Sequence, residues 1–168
     1  MTFRCHASNP EEVVEAVFFR IQNTSMVDVP ILNSALQVQA IDFQRWQGHW
    51  LGIVITPWCM SMTLVPGSTE GWSSVGVNKR RFVHFPAGDF AFLGGHEEEL
   101  GEYQSCSLFS PMDKFSNQTE AVQTARAALI GLLTAPVDKD DHLPTSSAIS
   151  SDRKKIVSRR AFFSLGKS

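Results

Sequence analysis

The chain has 168 residues, 43% of them hydrophobic and 19% charged, which is enough for one domain with a real core. Three cysteines, no run of about 18 apolar residues and no signal-peptide pattern at the N-terminus argue against a disulfide scaffold and a transmembrane helix, so a cytoplasmic protein is expected. The net charge of −2 divides unevenly: residues 152–168 hold six bases against Asp152, or +5, and the rest holds nine bases against sixteen acids, or −7. An acidic body argues against nucleic-acid binding and suits a basic peptide.

Asn9-Pro10-Glu11-Glu12 predicts a helix start, with Asn9 as cap, Pro10 in the first helical position and Glu12 at capping-box spacing. Val14, Val17, Phe18 and Ile21 then form one apolar face. Val29 to Asn33 is an extended, proline-bearing linker. Leu36 to Phe43 suggests a strand with imperfect alternation, and Gln44 to His49 turns the chain. Leu51 to Ile55 is an apolar, β-branched run that suits a buried strand. Pro57 cannot donate to a sheet ladder, so Thr56-Pro57-Trp58 is a corner, and Met60 to Val65 is the returning strand. Gly67 to Gly76 is a Gly/Ser loop holding Trp72.

Arg80 to Phe85 and Gly88 to Leu93 read as a hairpin, the second strand stopped by Gly94-Gly95. His96 to Glu99 is a charged excursion, and Glu102 to Phe109 is a last strand. A second helix starts at Asn117, with Glu120 at capping-box spacing. Its stripe is Val122, Ala125, Leu129, Leu132 and Leu133, and Pro136 ends it. The expected fold is α+β: an antiparallel sheet of about five to six strands flanked by an N-terminal and a C-terminal helix. Residues 9–136 form the domain. Residues 137–168, polar and serine-rich and then basic, are expected to be a disordered linker and tail.

Few residues point to catalysis. His96-Glu97-Glu98-Glu99-Leu100 misses the zincin motif, because Leu100 stands where the second histidine must be. No Cys-x-x-Cys, phosphate-binding glycine loop or G-x-S-x-G elbow occurs. No metal site and no cofactor are therefore expected. One alternative reading is a small cysteine-dependent enzyme or redox protein using Cys106, since nucleophile and base can meet across a fold. Burial on an apolar strand is the competing reading for that thiol.

Four segments occur in order: Val29-Pro30-Ile31-Leu32-Asn33, Trp50 to Trp58, Phe85-Pro86-Ala87-Gly88, and Ser107-Leu108-Phe109-Ser110-Pro111-Met112. Together they resemble the HybE family, also called HupJ or HoxT, of [NiFe]-hydrogenase assembly chaperones. The resemblance covers about residues 10–135. It implies an α+β fold and a cytoplasmic accessory protein that is not an enzyme. It also implies a role in maturing uptake hydrogenases, linked to the small-subunit precursor with its twin-arginine signal and to coordination with the large subunit. Other maturation proteins are possible partners; nucleic acid and stable membrane insertion are not expected. No catalytic residue is carried over.

The candidate client-binding residues are Trp50, Pro57, Trp58, Phe85, Pro86, Phe109, Ser110, Pro111 and Met112, aromatic, proline and methionine positions at strand ends. The Pro57-Trp58 corner and Ser110-Pro111-Met112 are expected to approach each other. In the tail, Ser158, Arg159, Arg160, Phe162 and Phe163 are similar to a twin-arginine motif, but no apolar stretch follows, so export is excluded. They are candidate regulatory residues, a pseudo-signal for the chain's own client groove.

Overall fold

A computed structural model describes residues 3–135. Helix α1 (Glu11–Asn23) precedes six strands: β1 (Gln39–Trp46), β2 (His49–Ile55), β3 (Met60–Val65), β4 (Arg80–Phe85), β5 (Gly88–Glu97) and β6 (Gly101–Phe109). Helix α2 (Gln118–Leu132) follows. The strands form one sheet in the order β1-β2-β3-β6-β5-β4, with every neighbouring pair antiparallel. The α+β expectation therefore holds, with six strands. The tail residues 158–163 lie outside the described residues.

The sheet separates two apolar clusters. Strand period two sends Leu51, Ile53, Ile55, Met60, Met62 and Leu64 to the face that α2 covers with Ala121, Ala125, Leu129 and Leu132. Trp50, Val54 and Val65 point to the other face, under Val14 and Val17 of α1. The α2 face curls strongly. Trp46 on one edge strand stacks on Phe85 of the opposite edge strand, with ring centroids 4.6 Å apart. Helix α2 occupies the hollow, and its Leu132 carbonyl accepts from the Ala87 N–H of the β4–β5 turn at 3.2 Å.

Four sequence expectations need correction. The imperfect alternation of the first strand is a β-bulge: Ile41 pairs with Ile53 but Gln44 pairs with Leu51, so β1 carries one extra residue. The bulge turns Phe43 to the same face as Ala40, over Gly52, where an added Cβ would run into the Phe43 ring. β1 also runs on to Trp46, and Gln47-Gly48, with φ of 52° and 83°, closes a two-residue hairpin of the primed type. Gly94-Gly95 do not end β5. The loop backbone at Val75 and Gly76 lies against Gly94, and the Tyr103 ring lies against Gly95, so at both positions the close approach needs a residue without a Cβ. Helix α1 begins at Glu11, with Pro10 in the cap position; Asn9 still serves the helix start, its side-chain oxygen accepting from Glu11 N–H at 3.0 Å, but the predicted box with Glu12 does not form. The second forms with its return bond shifted by one residue: Asn117 accepts from Glu120 N–H at 2.8 Å, while the Glu120 carboxylate accepts from Ser116 N–H, just before the cap, at 2.8 Å. No helix among the described residues is long and apolar enough to cross a membrane.

Candidate functional site

Asn33 organises the corner that the sequence motifs share. Its backbone N–H donates to the Pro57 carbonyl at 2.9 Å. Its side-chain amide donates to the carbonyls of Met112 and Phe115, at 2.9 and 2.8 Å. Its side-chain oxygen accepts from Ala35 N–H at 2.9 Å, closing an Asx turn that holds the amide in place. One residue therefore ties the Val29–Asn33 segment, the Pro57-Trp58 corner and the chain after β6. The expected approach of the two corners is seen, and Asn33 is the link the motif list did not assign. Met60 pairs with Phe109 at the same end of the sheet, and the Ser110–Pro111 peptide is cis.

The corner has a floor and a rim. Met112 is fully buried and Phe115 nearly so, both within the cluster under α2. Pro57 is buried. Trp58 and Phe109 are half-buried, and Ser110, Pro111, Pro30 and Ile31 are exposed. Phe109 meets Phe115 edge-on at 5.3 Å, and the Lys114 ammonium sits 4.7 Å above Phe109. The Thr56 hydroxyl accepts from Cys59 N–H at 2.9 Å, fixing the turn that carries Trp58. The outward set is thus Trp58, Phe109, Ser110 and Pro111, extended by Ile31 and Lys114. Neither of the last two was singled out as a candidate: Ile31 lies unremarked inside the first of the four segments, and nothing local distinguishes an exposed lysine in a loop.

The remaining candidates sit elsewhere. Phe85 has no exposed surface; it packs between Trp46, Phe90 and Phe92, so it cannot contact a client as first expected. The same holds for Met112, whose expected exposure fails because the chain after β6 folds inward over the core. Trp50 is also buried, beneath the Arg45 guanidinium 4.3 Å from its ring, and its indole N–H donates to the His6 carbonyl at 2.8 Å. Only Pro86 of that group is exposed, at the β4–β5 turn.

Buried polar groups on the α2 face serve the loop between β3 and β4. Glu102 accepts from the Ser74 hydroxyl and Val75 N–H, and Gln104 accepts from Arg81 and donates to the Ser73 carbonyl. Burial holds the Arg81 guanidinium below its ordinary value, partly offset by the Glu102 charge. His49 accepts from Gly67 N–H at 3.1 Å, and burial pushes its pKa down, so the ring is held neutral. Its Nε2 faces the Glu70–Gly71 backbone without reaching hydrogen-bond geometry, and Trp72 meets the ring edge-on at 5.1 Å.

The reading that uses Cys106 as a nucleophile gains no support. Cys106 is 3% exposed in the core beside Met62, and a nucleophile needs access. Burial pushes the Cys59 thiol up, away from the reactive thiolate. Among the described residues no three His, Cys, Asp or Glu side chains are grouped to hold a metal ion. His96 and Glu97 end a strand, and Leu100 is buried, so the near-zincin run forms no helical face. A cleft of about 250 Å³ between β1 and α2, crossed by the Arg126–Asp42 ion pair at 3.3 Å, falls below the size of usual small-molecule pockets.

The family described as "[NiFe]-hydrogenase assembly, chaperone, HybE" matches residues 9–165. A Rhodobacter capsulatus protein described as probable rubredoxin HupJ is 36% identical over 120 residues, 71% of this chain. The chain spans 43% of that relative's length. The hydrogenase expression/formation protein HupJ of Bradyrhizobium diazoefficiens is 37% identical over 130 residues, 77% of this chain and 75% of that one. The solution structure of HybE from Escherichia coli superposes with a TM-score of 0.66 at 29% identity, covering 86% of this chain and 90% of the other.

Proposed function

The chain belongs to the HybE family of [NiFe]-hydrogenase assembly chaperones, and from that premise we propose that it binds the immature hydrogenase small subunit and holds it for assembly. The observation that carries this reading is the corner: half-buried Trp58 and Phe109 with exposed Pro111, fixed from beneath by Asn33. A surface of rigid aromatic and proline groups on a fixed floor binds apolar chain at low ordering cost. The acidic body supplies a field for the paired arginines of a twin-arginine signal. A holding protein needs no bond-making groups, only moderate affinity and later release. The large subunit and other maturation proteins are further partners of the assembled state, and the cytoplasm is where such a precursor exists.

Co-purification of the full chain with the small-subunit precursor, with and without its signal, tests the reading. Association with the precursor is expected, and failure to retain either hydrogenase subunit overturns it. Trp58→Ala should weaken binding by about 2 kcal/mol while the thermal midpoint stays within a few degrees. The tail reading carries its own test. Residues 152–168 carry +5 against a body of −7, and the family match runs through residue 165, past Arg159-Arg160. If the tail competes for the client groove, deleting residues 152–168 raises affinity for the signal peptide at low salt; unchanged affinity ends that idea.

A further inference from the structure

The sheet has two edges, and they are finished differently. At β1 the outward backbone is closed by α1. Ala40 N–H donates to the Glu15 carboxylate at 2.8 Å, and Phe43 N–H donates to the Glu11 carboxylate at 2.9 Å. The Asn9 amide donates to the Phe43 carbonyl at 3.1 Å. The groups freed by the bulge are thereby satisfied, which blunts this stretch of the edge against an added strand.

At β4 the ladder to β5 includes the bond from Gly94 N–H to the Lys79 carbonyl, 2.9 Å. Alternation then assigns Arg81, Val83 and Phe85 to β5, and the outward N–H and carbonyl groups to Arg80, Phe82 and His84. Among the described residues none of the hydrogen bonds outside the ladder reaches those outward backbone groups. The strand has no internal proline and no bulge. Phe82 is 68% exposed, and Leu93, across from Arg80 on the same face, is also exposed. Helix α1 packs on the β1 side of that face and leaves this part open.

We propose that β4 is a docking strand that takes an extended acidic segment of a partner protein as a seventh strand. Ladder bonds to Arg80, Phe82 and His84 would supply affinity, and alternate side chains the selectivity. The charges choose the occupant. Lys79 and Arg80 are both exposed at this edge, and Asp89, the acid across the ladder from His84, is paired with it at 2.6 Å. A second copy aligned antiparallel about Phe82 would set Arg80 against His84, whose Asp89 partner is already engaged, and would bring Arg80 no carboxylate of its own. An acidic residue beside Arg80 and an apolar residue beside Phe82 satisfy both positions. The proposal is independent of which client the Asn33 corner holds.

The test uses the full-length chain and a short synthetic peptide alternating valine and glutamate. Amide exchange and NMR shifts read the site. Slowed exchange at Phe82 and His84 is expected, with affinity at least about tenfold above that of the valine–lysine peptide at low salt and a smaller gap at high salt. The same glutamate peptide with alternate amides N-methylated cannot complete a ladder and should lose binding; it leaves the protein unchanged, so misfolding cannot mimic the result. Equal binding of the lysine peptide, or protection confined to other strands, overturns the proposal. So does protection of Phe82 before peptide is added, whether concentration-independent, as when the chain closes its own edge, or concentration-dependent, as in a dimer.

Discussion

Replacing Asn33 by alanine tests the construction of the corner directly. The backbone bond to Pro57 survives, and three side-chain bonds are lost. Ala35 is exposed, so its N–H recovers water and little is lost there. The carbonyls of Met112 and Phe115 are partly buried and lose this donor, Met112 keeping only the bond from Phe115 N–H at 3.2 Å. At about 1–1.5 kcal/mol for each, the loss is about 2–3 kcal/mol. Unfolding entropy of about 2.1 cal/mol/K per residue over residues 3–135 converts this to a midpoint drop of about 7–11 °C. Thermal melts and urea titrations with unchanged slope measure it. Asn33→Asp is the sharper variant, because it keeps the acceptor for Ala35 but sets a carboxylate against two carbonyls. If either variant costs less than about 0.5 kcal/mol, Asn33 is not the tie described and the corner is held by packing alone.

Gly52→Ala should cost about 1–3 kcal/mol in urea through overpacking against Phe43, and adding Phe43→Leu should restore part of it. His49 is held neutral by burial, so the unfolded chain binds the proton more readily; stability is full above the ordinary histidine value of about 6.5 and falls as pH drops below it. Melts across that range should show this dependence, and His49→Gln should flatten it. Tyr103 is the single tyrosine, and burial with the Glu97 charge pushes its phenol up to about 12. Ultraviolet absorbance should therefore show one phenolate transition near that value for the folded chain, and a midpoint at the ordinary value of about 10 would refute the burial argument.

Local chemistry made most of the fold legible. The apolar run Leu51–Ile55, the proline corner and the Asn117–Glu120 box each name their own structure within a few residues. What escaped required partners distant in sequence. The bulge at Asp42-Phe43 reads only as bad alternation until Glu11 and Asn9 are seen to satisfy Phe43. Gly94-Gly95 read as a strand end, because the loop and the Tyr103 ring that need their bare backbone come from elsewhere. At the site, the motif residues were correctly taken as a group, but sequence does not separate floor from rim. Met112 and Trp58 share the same character of apolar residue beside proline, and the packing of the chain after β6 buries one and leaves the other at the surface. Asn33 reaches residues 79 and 82 positions away, a contact no local pattern encodes.

The strand order has a consequence for how the chain is made. β1-β2-β3 and β4-β5-β6 are two meanders, each assembled from neighbours in sequence, and they meet along the β3–β6 seam. The helix that covers Ile41, Leu51 and Ile53 is built from residues 118–132. During synthesis the first meander therefore emerges with α1 ready on one face and nothing yet made for the other. Its most apolar surface stays open until the last described helix leaves the ribosome. Emergence of α2, more than the pairing of the early strands, sets the moment at which this surface stops needing protection from its neighbours.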